Sequence, residues 1–392
     1  MRILYVTANS FLRSTTSSLN AILEQLRPRG LHPIMLFKEP GPWQEQLAAD
    51  GVPCYFNPLL MPDKWHPVRS LADIYGLVRL VRRERIDLIH CNEHDHYPLL
   101  RRVGRWTGRP VIATLHWNLE PGVGYWPFGA PYHPAALQFL SRAQLETSRP
   151  GFPPDLPPER IKLLMSGLAI DDFLSRGDDG RALRTGWGVG PNTVVLGTAS
   201  AIKPRKHLED FIRLIGRLRD RGLDVLGVIA GGGRFTDPAY LEQLQALLAE
   251  LRLQRQCRFV GNLDPVTPFV KALDVSVNTA EMEILSMSLC EAQACGKPTI
   301  AYGVGGNPEA LPDPWCVAPF GDLDALEEKA ARLVTDEAFR RQMGETAERF
   351  VRENFDAPVL AARQAGIYEE ILGRPLRTAG TSAGACLVGA RG

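Results

Sequence analysis

The sequence has no run of about 18 apolar residues, so no helix is expected to span a bilayer. It also lacks a dominant charge. The formal net charge is +1, which removes the bulk electrostatic case for a nucleic-acid partner. Cysteine is sparse: Cys54, Cys91, Cys257, Cys290, Cys295, Cys316 and Cys386 are seven residues scattered without metal-ligand spacing. An odd set of this kind suits reduced thiols in a cytoplasmic protein. No Gly-x-Gly-x-x-Gly follows the first strand-like run, which argues against a dinucleotide-dependent dehydrogenase. No Asp-x-Asp stands at a strand tip, so no metal is expected. "CNEHDHY" does gather Glu93, His94, Asp95 and His96. Neighbours on an extended strand point opposite ways, so a metal site is the lesser reading there. "MRILYVTANS" carries one Arg, a short apolar run and no small-residue cleavage site. It reads as a first buried strand rather than a signal peptide.

What the chain does have is length and alternation. Its 392 residues, 45% of them hydrophobic, suit two domains with full cores. "RILYVTA", "IDLIHCN" and "PVIATLHW" are near-continuous apolar runs, each separated by helix-like stretches. Such runs are buried on both faces, which implies a parallel sheet covered by helices. Between Phe173 and Asn192 glycine and charge dominate, and "TVVLGTAS", "VLGVIAGGG", "CRFVGN", "LDVSVNTA" and "PTIAY" begin a second series. The expected fold is therefore α/β, with two tandem Rossmann-like doubly wound domains and ligand in the cleft between them. The expected boundaries are 1–172 for the first domain, 173–192 for a linker and 193–356 for the second domain. Residues 357–376 form a final helix, and 377–392 are expected to be disordered.

The chemistry concentrates in "EILSMSLCEAQACGKPTIAYGVGGNPEAL", residues 283–311. A helix is expected to start at Ser286 or Ser288 and to stop at Gly296. Its amino end at a strand tip offers free N–H groups and a positive dipole, which suit a phosphate. Glu291 lies three residues after Ser288, so it reads equally as a capping-box acid or as a ligand contact. Glu283 lies in the loop before the helix, where no cap accounts for it, and is the better candidate for binding ligand hydroxyls. In "SAIKPRKHLED", Lys203, Arg205 and Lys206 crowd a helix start. Cations there oppose the dipole, so either they sit on a solvated turn or they answer an anion. In the first half, "ATLHW" places His116 at a strand end. The arginines at 79, 82, 83, 85, 101, 102, 105 and 109 form either solvated faces or a surface for anionic phospholipid or a phosphorylated acceptor.

Together these stretches resemble the retaining glycosyltransferases of family 4, which have the GT-B fold. The resemblance covers nearly the whole chain. It rests on Glu-x7-Glu at Glu283 and Glu291, on the strand ending in His116, and on "VIAGGGR", "CRFVGN" and "ALDVSVNTAE" in order. It implies metal-independent, hexosyltransferase-like transfer of a sugar from a nucleotide-diphosphate sugar, used as co-substrate with no other cofactor. The acceptor would be a glycan, a lipid-linked group or a small molecule. It further implies Glu291 on the ribose, Glu283 on the donor sugar and Lys206 on the diphosphate. The backbone of Met287, Ser288 and Leu289 would lie near phosphates and sugar, His116 near the reacting carbon, and Arg234 by the base. The expected location is the cytoplasm, with peripheral contact at the inner membrane face if the arginines of the first domain form a phospholipid surface rather than solvated faces. Three positions depart from the family. Ile284 stands where Gly follows the first Glu, Ala201 replaces an Arg, and "NSFLRSTTSSLN" with Arg13 replaces a glycine-rich loop. An epimerase or phosphorylase of the same fold, and an inactive scaffold, are the rival expectations.

Overall fold

The computed structural model describes residues 1–12, 14–58, 67–121, 125–233 and 236–376. Arg13, Arg234 and the expected tail at 377–392 lie outside these residues. Thirteen strands form two sheets among the described residues. In the first sheet, β1 (Arg2–Thr7), β2 (His32–Phe37), β3 (Cys54–Phe56), β4 (Leu88–Cys91), β5 (Val111–Thr114), β6 (Ala136–Phe139) and β7 (Ile161–Leu163) lie in the order β3-β2-β1-β4-β5-β6-β7. In the second, β8 (Val194–Ala199), β9 (Val225–Ala230), β10 (Cys257–Gly261), β11 (Val275–Asn278), β12 (Thr299–Tyr302) and β13 (Val317–Ala318) lie in the order β10-β9-β8-β11-β12-β13. Every pairing is parallel. Strand order reverses between β1 and β4, and again between β8 and β11, so each sheet is doubly wound with its switch point there.

The unbroken apolar runs are explained by cover on both faces. On β1, Leu4 and Val6 enter one core with Ile74, Val78, Leu100 and Val103 of the helices Pro67–Arg83 and Tyr97–Thr107. Ile3 and Tyr5 enter the other, with Leu19 and Leu23 of Ser14–Leu26 and Leu360 and Ala361 of Ala357–Leu372. Period-2 alternation thus splits one strand between two helical layers. Each buried Leu or Ile contributes about 1.5–3 kcal/mol. The second sheet is covered in the same way, with Phe211, Leu214 and Ile215 of Leu208–Asp220 packed against Val195, Val228 and Ile229.

The chain crosses between the sheets twice, side by side. Leu168 and Asp356 pair as an isolated parallel bridge, with Leu168 N–H donating to Phe355 O and Ala357 N–H to Leu168 O, each at 2.9 Å. Within 173–192 the chain is not free of structure. Phe173 is buried in the second core, and the helix Arg181–Gly186 docks through Arg184, which donates to Ala272 O and Asp274. The last helix, Ala357–Leu372, lies on the first sheet. Its Tyr368 hydroxyl bonds Tyr5 at 3.0 Å and His90 at 2.7 Å, and its Gln364 accepts from Gln138 at 3.2 Å. These buried polar bonds make the helix part of the first domain's core.

Candidate active site

The carboxyl ends of β8 and β11 flank the second switch point, and the two loops that leave them meet. After β8 the chain turns through the 3-10 helix Pro204–Lys206, and after β11 it runs through 279–286 to the helix Met287–Ala294. Glu281 N–H donates to Arg205 O at 3.1 Å and Thr279 hydroxyl to Lys206 O at 3.2 Å. These bonds hold the Lys206 ammonium against the Glu283 carboxylate, and the two form an ion pair. Their side chains are only 13% and 9% exposed, so the pair is weakly screened. The cluster of cations therefore divides. Lys206 is answered from within the protein, whereas Lys203 and Arg205 remain exposed, with Arg205 on the cleft wall.

Ser286, rather than Ser288, stands at the start of the Met287–Ala294 helix, and its side chain makes no capping bond there. Instead its hydroxyl bonds Asn278 at 3.0 Å and Ser288 at 3.1 Å. The amides of Met287 and Ser288, at the first helical positions, have no helical acceptor. Met287 lines the cleft, while Leu289 is fully buried in the core. Burial pushes the Glu291 carboxyl up to about 7, with Arg176 working in the opposite direction. A carboxyl so placed ionises near neutrality and favours any partner that hydrogen-bonds its charged form.

Facing these loops is His116, just beyond β5. A cleft cavity of about 670 Å³ takes its walls from both halves: Thr15, His116, Trp117 and Ser166 on one side, Arg205, Met282, Glu283 and Ile284 on the other. Neither His116 ring nitrogen makes a hydrogen bond of ordinary geometry, although both are shielded from solvent. Burial drives its pKa down to about 4, so the imidazole is neutral at physiological pH. Its backbone is held by Gln144, whose amide donates to Leu115 O and Trp117 O at 3.1 Å each and accepts from Leu140 N–H at 2.8 Å. Trp117 is 49% exposed and Met282 52%, which gives the cavity an apolar surface on each wall.

Other residues singled out in the sequence serve locally. Glu93 accepts from Thr7 Oγ1 at 2.7 Å and Ala8 N–H at 3.0 Å, which ties the β4 tip to the β1 tip. Among the described residues no group of three or more His, Cys, Asp or Glu is set to hold a metal ion. The glycine after β9 answers protein rather than open space. A Cβ on Gly231 (φ +158°) would stand 1.9 Å from Ser200 O. A second cavity, of about 540 Å³, lies at the opposite ends of the first sheet's strands, walled by Arg101, Arg105, Arg109 and Arg160.

Glu309, near the end of the 283–311 stretch, reads in the sequence either as an acid that tunes a helix end or as a grip on hydroxyl groups, and the structure places it at a helix end. It sits in the 3-10 turn Asn307–Ala310 after β12 and accepts from Arg142 N–H and Ala143 N–H, each at 2.9 Å. No periodicity signals a contact across 167 residues. The small residues before it, Gly305 and Gly306, were the available hint of close approach.

Residues 182–350 match the family described as Glycosyl transferases group 1, and residues 15–148 match the Glycosyl transferase 4-like domain. The chain is 27% identical over 325 residues to the N-acetyl-alpha-D-glucosaminyl L-malate synthase of Bacillus anthracis, covering 78% of this chain and 81% of that one. It is 31% identical to the D-inositol 3-phosphate glycosyltransferase of Saccharomonospora viridis, covering 66% of each. The crystal structure of Anabaena HepE in complex with UDP superposes with a TM-score of 0.80 at 19% identity, over 94% of this chain and 100% of that one. A Rickettsia africae glycosyltransferase does so with a TM-score of 0.80 at 16% identity, over 95% and 98%.

Proposed function

The chain belongs to the group 1 glycosyl transferases, family 4 enzymes of the GT-B fold, and from that membership we propose retaining, metal-independent hexosyl transfer from a nucleotide-diphosphate sugar. The observation that carries this reading is the Lys206–Glu283 pair at the β8–β11 switch point, facing the neutral His116 imidazole across one cleft. Lys206 and the first amides of the Met287–Ala294 helix lie where they can oppose the charge that grows on a departing diphosphate. Arg205 on the cleft wall and Lys203 nearby add to that field. Glu291 accepts from ribose hydroxyls, and Glu283, held by Lys206, accepts from the donor sugar. Arg234, outside the described residues, is assigned to the base pocket on family resemblance alone.

The reacting step balances without a protein base. The bond from the anomeric carbon to the phosphate oxygen breaks, and its electron pair stays with the diphosphate. The acceptor hydroxyl attacks from the same face, and its proton passes to the leaving phosphate. His116, being neutral, contributes a hydrogen bond near that carbon rather than a charge. The acceptor is a glycan, a lipid-linked group or a small molecule entering past Trp117. No described helix is long and apolar enough to cross a membrane. The proposed location is the cytoplasm, with peripheral contact at the inner membrane face. Exposed Leu71 and Tyr75 on Pro67–Arg83 and exposed Trp106 on Tyr97–Thr107, among Arg79, Arg82 and Arg105, offer that contact.

A thermal-shift screen of UDP-, GDP-, ADP- and dTDP-sugars, followed by an assay of nucleoside diphosphate release, tests the reading. Stabilisation by at least one donor, with release that requires an acceptor, is the expected result. Conversion of the nucleotide-sugar at full rate without acceptor would indicate an epimerase. Binding without release under every acceptor would indicate an inactive scaffold.

A further inference from the structure

We propose that Glu309 is an interdomain positioning residue, a strut that sets the separation of the two cleft walls for transfer; its kinetic part rests on the transferase reading above. The three leading amides of the Arg142–Ser148 helix are all satisfied, but by two different halves of the molecule. Ser141 Oγ takes Gln144 N–H at 3.1 Å, and Glu309 takes Arg142 N–H and Ala143 N–H with one carboxylate oxygen each. Both bonds are charge-assisted and together they fix the carboxylate in its plane. Both carboxylate oxygens of Glu309 are taken by these amides of the other half, which makes it a contact between the halves.

Each end of the strut continues to a residue of the site. On the first-domain side, the next helical residue is Gln144, whose side chain holds the backbone on both sides of His116. On the second-domain side, Gly306 N–H donates to Glu283 O at 3.2 Å. A Cβ on Gly305 (φ +48°) would stand 1.6 Å from Glu283 O, and one on Gly306 2.2 Å from Ile284 O. Only glycine lets the turn lie on the Glu283 loop. Gln293 Nε2 also donates to Ala310 O at 2.7 Å, which anchors the same turn to the helix that carries Glu291. The path from His116 through Gln144, the amides at 142 and 143, Glu309 and Gly306 to Glu283 is therefore joined at every step by the chain itself or by a hydrogen bond. Misplacement of reacting groups by about 1 Å can cost on the order of 100-fold in rate.

The test breaks the strut from either end. Glu309→Gln keeps one carbonyl acceptor and loses the other. Arg142→Pro removes one donor at the first helical position, where proline is tolerated, after an extended Ser141 (φ −153°, ψ 159°) that suits a residue before proline. Each variant is expected to lower kcat about tenfold or more while donor Kd stays within about twofold, because the donor loops are untouched. The double variant should fall no further than the worse single, since both remove one contact. Small-angle scattering of the substrate-free variants should show a broader distribution of interdomain distances than the wild type. That reading needs no donor, so it separates failure of the strut from failure of the functional assignment. If Glu309→Gln does not fold, Arg142→Pro carries the test. Scattering identical to wild type, or kcat within twofold of it in a folded variant, overturns the proposal.

Discussion

Replacing Lys206 with Ala should damage stability and chemistry by separate amounts, and the two can be pulled apart. The substitution leaves the Glu283 carboxylate, 9% exposed, without its ion-pair partner. Breaking one side of a buried pair costs about 3–5 kcal/mol, so the melting temperature should fall clearly. In the proposed function the same ammonium answers the departing diphosphate. One preorganised electrostatic contact of this kind is worth about 2.7 kcal/mol in the transition state, or roughly 100-fold in kcat. Donor affinity should fall less, because the charge on the leaving oxygen grows only as the bond breaks. Kinetics measured well below the melting temperature, with folding checked by circular dichroism, exclude simple unfolding as the cause. The double variant Lys206→Ala with Glu283→Gln then decides. Without a buried orphan charge it should regain most of the lost stability, yet turnover should stay at least about 100-fold low. Recovery of turnover to within a few-fold of wild type, together with stability, would show that the pair only holds two loops together.

Glu291 sets a pH dependence. Its folded pKa of about 7 lies above the ordinary 4.5, so the native state keeps this proton longer than the unfolded chain does. Its contribution to stability should fall as pH rises from about 4.5 to about 7. Donor affinity should rise over the upper part of that window as the carboxylate ionises, and then level off. Glu291→Gln should flatten the profile and weaken donor binding above pH 7 by about 1.5–3 kcal/mol, with no loss of melting temperature, as calorimetric titration and thermal denaturation can check. Turnover should survive EDTA without added magnesium or manganese, because Lys206, Lys203 and Arg205 supply positive charge at the switch point; loss on chelation with recovery on metal would contradict this.

The parts of this molecule legible in the sequence are those that repeat locally. Unbroken apolar runs on β1, β4, β5, β8 and β9 announced strands covered on both faces, and the Glu283–Glu291 spacing marked the loop and helix that follow β11. Side-chain partnerships between distant segments carry no such period. Lys206 and Glu283 lie 77 residues apart, and their pairing comes from the adjacency of β8 and β11 at the strand-order reversal. Glycine and charge between Phe173 and Asn192 suggested a linker, but the Arg181–Gly186 helix finds partners in Asp274 and Ala272, which composition does not encode. The Ser288-to-Glu291 spacing permitted a capping box. It does not form, because the helix begins two residues earlier, with Ser286 at its start, whose hydroxyl bonds Asn278 and Ser288.

The most direct test of the account is a crystal structure with the nucleoside diphosphate of whichever donor stabilises the protein most. The account predicts the diphosphate within hydrogen-bond distance of Lys206 Nζ and the amides at Met287 and Ser288, with the ribose hydroxyls on Glu291. A nucleotide bound instead among Arg101, Arg105 and Arg109, at the far end of the first sheet, would contradict it.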